Sequence, residues 1–194
     1  MLQNISIIAV LLILVATTIE FVLNQWRWIS IAWVFQVFSV FWLTTLSWSF
    51  AESAVKLIGG WIAIAIVSSV HPDSILEKEN ETMTSGFGFR FLVIAMIWLL
   101  AFSSSSLIQN LIPARVEILW GGMLLLGSGI IQVGFSRNII RTIIGLITFI
   151  SGFEVMYASI ESSVLVSGVL AFLTIGLAWL TVYFHSTEEE LRVE

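Results

Sequence analysis

Glu154 stands deep inside an apolar run, between Gly152-Phe153 and Val155-Met156. An ionisable side chain inside a membrane span costs at least about 2.5 kcal/mol, so each one needs a reason to be there. A carboxyl at that depth suits a proton-carrying site, or else an interhelical hydrogen bond that holds a bundle together. Three other groups invite the same question. Glu20 falls near the end of the first apolar run, where it is either an interfacial group or part of an ion path. Glu52 and Lys56 have the i, i+4 spacing that sets two side chains on one helical face. Lys56 could instead join a buried lysine–carboxylate relay. Gln36 and Gln132 are neutral, and interhelical hydrogen bonds account for them.

The elements that must position these groups are membrane helices. Of 194 residues, 58% are hydrophobic and only 11% charged, with a mean hydropathy of +1.02. Soluble domains carry about 25% charged residues. The apolar runs do not alternate and are long enough to cross a bilayer as helices, the fold in which a chain satisfies its own backbone in lipid. The expectation is an all-α polytopic transmembrane bundle of about seven spans. They run roughly Ile5–Leu23, Trp28–Phe50, Ala54–Val70, Phe91–Ile108, Ala114–Gly134, Asn138–Ala158 and Ser162–Phe184. The serine run Ser103–Ser106 leaves the fourth open to a shorter or irregular crossing. The first run is read as a membrane helix rather than a signal peptide, because no Lys or Arg precedes it and no small-residue cleavage site follows.

Seven crossings put the two termini on opposite sides. Arg27, Lys78, Arg90, Arg137, Arg141 and Arg192 then share one side, with Lys56 and Arg115 on the other. The positive-inside rule places the N-terminus outside and the C-terminus in the cytoplasm. Trp26, Trp28, Trp48, Trp120 and Trp179 lie near span ends, as expected of an interfacial aromatic belt, whereas Trp33, Trp42 and Trp98 lie deeper. The net charge of −5 comes mainly from the loop Asp73–Glu81 and the tail Glu188–Glu194, so neither nucleic acid nor a polybasic lipid contact is expected. There is no cysteine, which excludes disulfides and thiolate chemistry. No Ser/His/Asp set, phosphate-binding glycine loop or metal-ligand cluster is present; His71 and His185 fall outside the spans. No catalytic chemistry, no metal and no cofactor of its own is expected in this chain.

A weak echo links Ala51-Glu52-Ser53-Ala54-Val55-Lys56-Leu57-Ile58-Gly59 to Ile160-Glu161-Ser162-Ser163-Val164-Leu165-Val166-Ser167-Gly168. It suggests a repeated three-helix unit. On that reading residues 1–71 form the first unit, 72–90 a hydrophilic acidic loop, 91–112 a linking helix, 113–185 the second unit and 186–194 an acidic tail. A single intervening span keeps the two units in the same orientation, as in parallel-repeat transporters.

The C-terminal third resembles a known family. Gly122-Met123-Leu124-Leu125-Leu126-Gly127, then Arg137-Asn138-Ile139-Ile140-Arg141-Thr142-Ile143-Ile144-Gly145-Leu146, then the apolar run from Ser163, is similar to the three-helix NuoK-type subunit of complex I. The longer HyfE-type subunits of membrane-bound hydrogenases resemble the whole chain in length and helix number. The resemblance implies a membrane subunit of an ion-translocating assembly, with antiporter-like and electron-transfer subunits as partners; the absence of cysteine and of targeting signals fits the inner membrane of a prokaryote. The resemblance also implies that Arg137, Asn138 and Arg141 anchor the cytoplasmic end of the sixth span. The family's intramembrane Glu position holds Ile147 here, and Glu154 lies seven residues on, about 10 Å deeper. Either the carboxylate has moved, or the proton-transfer role is gone and the scaffold remains. Structural anchoring without an ion path, and free-standing transport, are the other functions open to such a chain.

Overall fold

Lipid leaves the backbone no hydrogen-bond partner but itself, and the chain answers with helix almost throughout. The computed structural model describes residues 2–23, 25–70, 86–110, 112, 114–136 and 138–193, with side chains from residue 5 to 184 except Phe87. Among these residues the helices are α1 Leu2–Val22, α2 Trp26–Thr44, α3 Phe50–Ser68, α4 Phe87–Gln109, α5 Val116–Phe135, α6 Ile139–Ala158 and α7 Val164–Val193. All seven contain a stretch long and apolar enough to span a membrane. Of the expected acidic loop 72–90, residues 72–85 lie outside the described residues, as do Pro113 and Arg137.

Some boundaries differ from the sequence reading: α4 opens at Phe87 and not at Phe91, and α7 runs on to Val193, past Phe184 and into the expected tail. The second span was expected to reach Phe50, but α2 ends at Thr44 and Phe50 opens α3. Ser49 and Glu52 set this break. The Ser49 hydroxyl accepts from the Glu52 amide at 3.4 Å while the Glu52 carboxylate accepts from the Ser49 amide at 3.0 Å. This reciprocal capping box satisfies two backbone donors that a helix start leaves unpaired. The serine run, by contrast, does not interrupt α4. Ser105 and Ser106 return their hydroxyls to the carbonyls of Phe102 and Ser103 within the helix.

The helices α2 and α6 form the centre. Their span windows are 56% and 61% buried, against 17% for α4 at the edge. The closest pair is α5 with α6, because glycines remove the side chains between them. A Cβ on Gly129 would lie 2.5 Å from the Phe149 backbone nitrogen, and one on Gly152 would lie 2.6 Å from the Leu126 nitrogen. Backbones in such contact gain the dispersion energy that replaces the hydrophobic effect between helices in lipid. Beyond this pair, α1 packs on α2 and α5, α2 on α6, and α3 on α7. The outward faces are apolar, as lipid demands, with Leu99 on α4 and Phe172 on α7 more than 70% exposed.

Tryptophans divide differently from the belt expectation. Trp28 and Trp179 are exposed, but Trp26 and Trp48 are buried. Trp48 donates its indole N–H to the Glu161 carbonyl at 2.9 Å, tying the α2–α3 turn to the α6–α7 turn. Trp120 likewise donates to Ser105 at 2.7 Å, joining α5 to α4. Trp33 is fully buried in the centre.

The packing of α3 on α7 is open to a direct check. A Cβ on Gly59 would stand 3.5 Å from the Ala171 Cβ, at the short end of disulfide geometry. The chain has no native cysteine to interfere. Gly59→Cys/Ala171→Cys should cross-link within one chain under mild oxidation in membranes, read as a reducible mobility shift in gels. Absence of the cross-link would exclude this pairing.

Candidate functional site

Two polar centres lie inside the bundle, and α6 contributes to both. The capping box fixes the start of α3 and with it the helix face that carries Ser53, Lys56, Gly60 and Ala63 inward. Lys56 thereby meets Glu154 of α6, with Nζ and Oε2 2.7 Å apart and the two side chains 1% and 0% exposed. That contact is the one polar partner either charged group has among the described residues. Glu52, the other candidate partner for Lys56, is engaged at the helix cap instead.

A lysine and a carboxylate closed off together exist either as an ion pair or as a neutral amine and acid, and one proton distinguishes the two. Burial penalises both charges, and their mutual attraction offsets that penalty only while they remain in contact. The arrangement can therefore hold a proton at a defined place between α3 and α6. Ile147, where the sequence resemblance would put a carboxylate, is buried in an apolar cluster that packs α2, α3 and α6 together. It contributes packing and no titratable group.

The second centre is Glu20, 3% exposed, one turn from the end of α1. With its amide nitrogen facing the carboxylate, Gln36 of α2 donates to both Glu20 oxygens at 2.7 and 2.9 Å, and its own oxygen accepts from the Thr148 hydroxyl at 3.2 Å. Gln132 of α5 donates to Glu20 from 3.4 Å. Glu20 is thus an internal junction of four helices and not an interfacial group. The two glutamines do form interhelical hydrogen bonds, as their neutrality suggested.

Above Glu20, two arginines close the end of α1. Arg141 of α6 donates to the carbonyls of Glu20 at 3.3 Å and Leu23 at 2.7 Å. Arg90 of α4 donates to the Val22 carbonyl at 3.4 Å. The last carbonyls of a helix lack partners and carry the negative end of its dipole, so guanidinium groups stabilise them. Asn138 accepts from the Ile140 amide at 2.9 Å and caps the start of α6. Of the expected cytoplasmic anchors, Asn138 and Arg141 therefore hold helix ends, and Arg137 lies outside the described residues.

Arg141, Thr148, Ser151 and Glu154 are all buried on α6. From Thr148 to Glu154 the rise is about 9 Å. Sequence reasoning had not singled out Thr148, Ser151 or Arg90. The hydroxyls at helical spacing between Arg141 and Glu154 were the available clue to the first two. Arg115 and Glu117 sit at the start of α5 and Glu161 in the α6–α7 turn, where water can reach them. Among the described residues no group of three or more His, Cys, Asp or Glu comes together.

The fold and these centres define a multi-pass α-helical membrane protein with charged groups inside its bundle. No protein-family model, curated protein or solved structure matches the chain.

The pair itself can be tested by stability. Lys56→Met or Glu154→Leu alone leaves one buried charge unpaired and should cost about 3–5 kcal/mol, whereas the double replacement should recover most of it. Unfolding of the four species in mild detergent measures this cycle. Additive losses would mean that the two side chains do not interact.

Proposed function

We propose that the chain is a membrane subunit of an ion-translocating assembly, in which Glu154 and Lys56 hold a proton on its way through the bundle. The observation that carries this reading is the Lys56–Glu154 contact, out of reach of water and lipid alike. A bundle that needed only to anchor a partner would lose nothing by filling that space with apolar side chains, since buried ion pairs rarely improve on them. Retaining both charges makes sense where a proton must pause. Glu20 and the buried hydroxyls of α6 supply further polar groups toward the other membrane surface.

The resemblance to NuoK-type and HyfE-type subunits supports the same reading and names the partners: antiporter-like membrane subunits and an electron-transfer module. The chain itself performs no redox or hydrolytic step in this account. The lipid-facing surface of α4 is wide and apolar, with Leu92, Met96, Leu99 and Leu100 turned outward, and offers a membrane partner a face to pack on. The bias of basic residues supports a C-terminus in the cytoplasm. The counterpart packing of α1 on α5, α2 on α6 and α3 on α7 favours a parallel repeat. A free-standing transporter built of two such units is the second reading.

Recovery of the tagged full chain in a gentle detergent, with mass spectrometry of co-purifying subunits, tests the assembly. Large antiporter-like subunits together with hydrogenase-like or dehydrogenase-like subunits are the expected result. A chain recovered alone would overturn the subunit reading and favour the transporter.

A further inference from the structure

We propose that Glu20 is a second proton-exchange site, reached through a water molecule held between α1, α2, α4, α5 and α6. A cavity of about 20 Å³ lies against it, lined by Glu20, Arg90, Gln132, Ser136 and Arg141 on its polar side and by Phe21, Ile29, Phe135 and Ile144 on its apolar side. A site needs roughly 10–15 Å³ and two to four polar partners to hold one water, and this cavity meets both conditions. All its lining residues belong to one end of the bundle: the end of α1, the starts of α2, α4 and α6, and the end of α5.

A second observation points to an occupant. Gln132 is 5% exposed, and its side-chain oxygen is buried without a hydrogen-bond partner among the described residues. Leaving such an acceptor unsatisfied costs about 1–3 kcal/mol. The amide nitrogen already faces Glu20, so the oxygen is left for a donor in the cavity. Water supplies that donor, and so does the hydroxyl of a protonated Glu20.

The groups around Glu20 decide which one changes state. Arg90 faces the cavity from α4 and Arg141 from α6, while α2 and α5 contribute the neutral amides of Gln36 and Gln132. Guanidinium groups stay protonated in proteins, and both are bonded to the carbonyls that end α1. Glu20 is therefore the group at this cavity that exchanges a proton. In the step, a hydronium in the cavity gives its proton to a Glu20 oxygen, leaving water and a carboxylic acid; the reverse step releases it. The clasp of the two arginines keeps the end of α1 in place through both states. What becomes of the proton deeper in the bundle rests on the ion-translocation reading, but the exchange itself does not.

Infrared difference spectroscopy of the full chain in lipid nanodiscs tests the site without turnover. The wild type should show a carboxylic-acid band that responds to pH and shifts when D2O replaces H2O. Glu20→Gln should lose that band, Glu154→Gln should keep it, and Gln132→Leu should slow its deuterium exchange. An identical spectrum in Glu20→Gln, or a Glu20 band that does not exchange with D2O, would overturn the proposal. Exchange at Glu20 in a chain that takes part in no ion transport would leave this site standing and remove the translocation reading. Transport without Glu20 exchange would do the opposite.

Discussion

Lys56 and Glu154 meet where neither water nor lipid can solvate them, and that constraint shapes much of the bundle. Separating two such charges in a medium of low dielectric costs several kcal/mol per ion. Lys56 on α3 must therefore stay within reach of Glu154 on α6. The Ser49–Glu52 capping box starts α3 at the residue that turns Lys56 inward. The glycines between α5 and α6 draw those two helices to backbone contact. With one side of α6 committed to α5, its remaining sides pack on α7 and α2, and Lys56 reaches Glu154 from α3.

Helix α6 also serves the other polar centre. Arg141 holds the end of α1, while Thr148 closes the hydrogen-bond chain through Gln36 to Glu20. Charges at this end are matched in a different manner. Glu20 is solvated by amide donors and flanked by guanidinium groups whose hydrogen bonds go to backbone carbonyls. One acid thus has a lysine for its partner, and the other has neutral donors and a cavity. Under the proposed function these environments would serve two different stages of one proton's passage, a pause in the interior and an exchange near the surface.

The spans were legible because lipid imposes one solution on an apolar run, and all seven helices fall where the runs lie. The α2–α3 break was misplaced by a few residues because hydropathy is continuous across it; the Ser49-x-x-Glu52 pattern carried the information and was not read as a cap. The polar residues worth examining were also legible, since Glu20, Lys56 and Glu154 stand out in an apolar background. Their partners were not. Spacing pairs Lys56 with Glu52 on one helix, but the contact that forms is with a helix far along the chain, and helix-to-helix registration is absent from local pattern. Trp26 and Trp48 follow the same logic: position near a span end suggested lipid headgroups, and tertiary packing buried them.

The central claim is that Glu154 holds a translocated proton. Coupled proton translocation by membrane vesicles containing the full assembly, with Glu154→Gln in place of the native chain, tests it most directly. Glutamine keeps the size of the side chain and an oxygen for Lys56, yet cannot take up the proton. The account predicts loss of translocation with the assembly intact. Translocation at the native rate in that variant would contradict it and leave the pair a purely structural tie between α3 and α6.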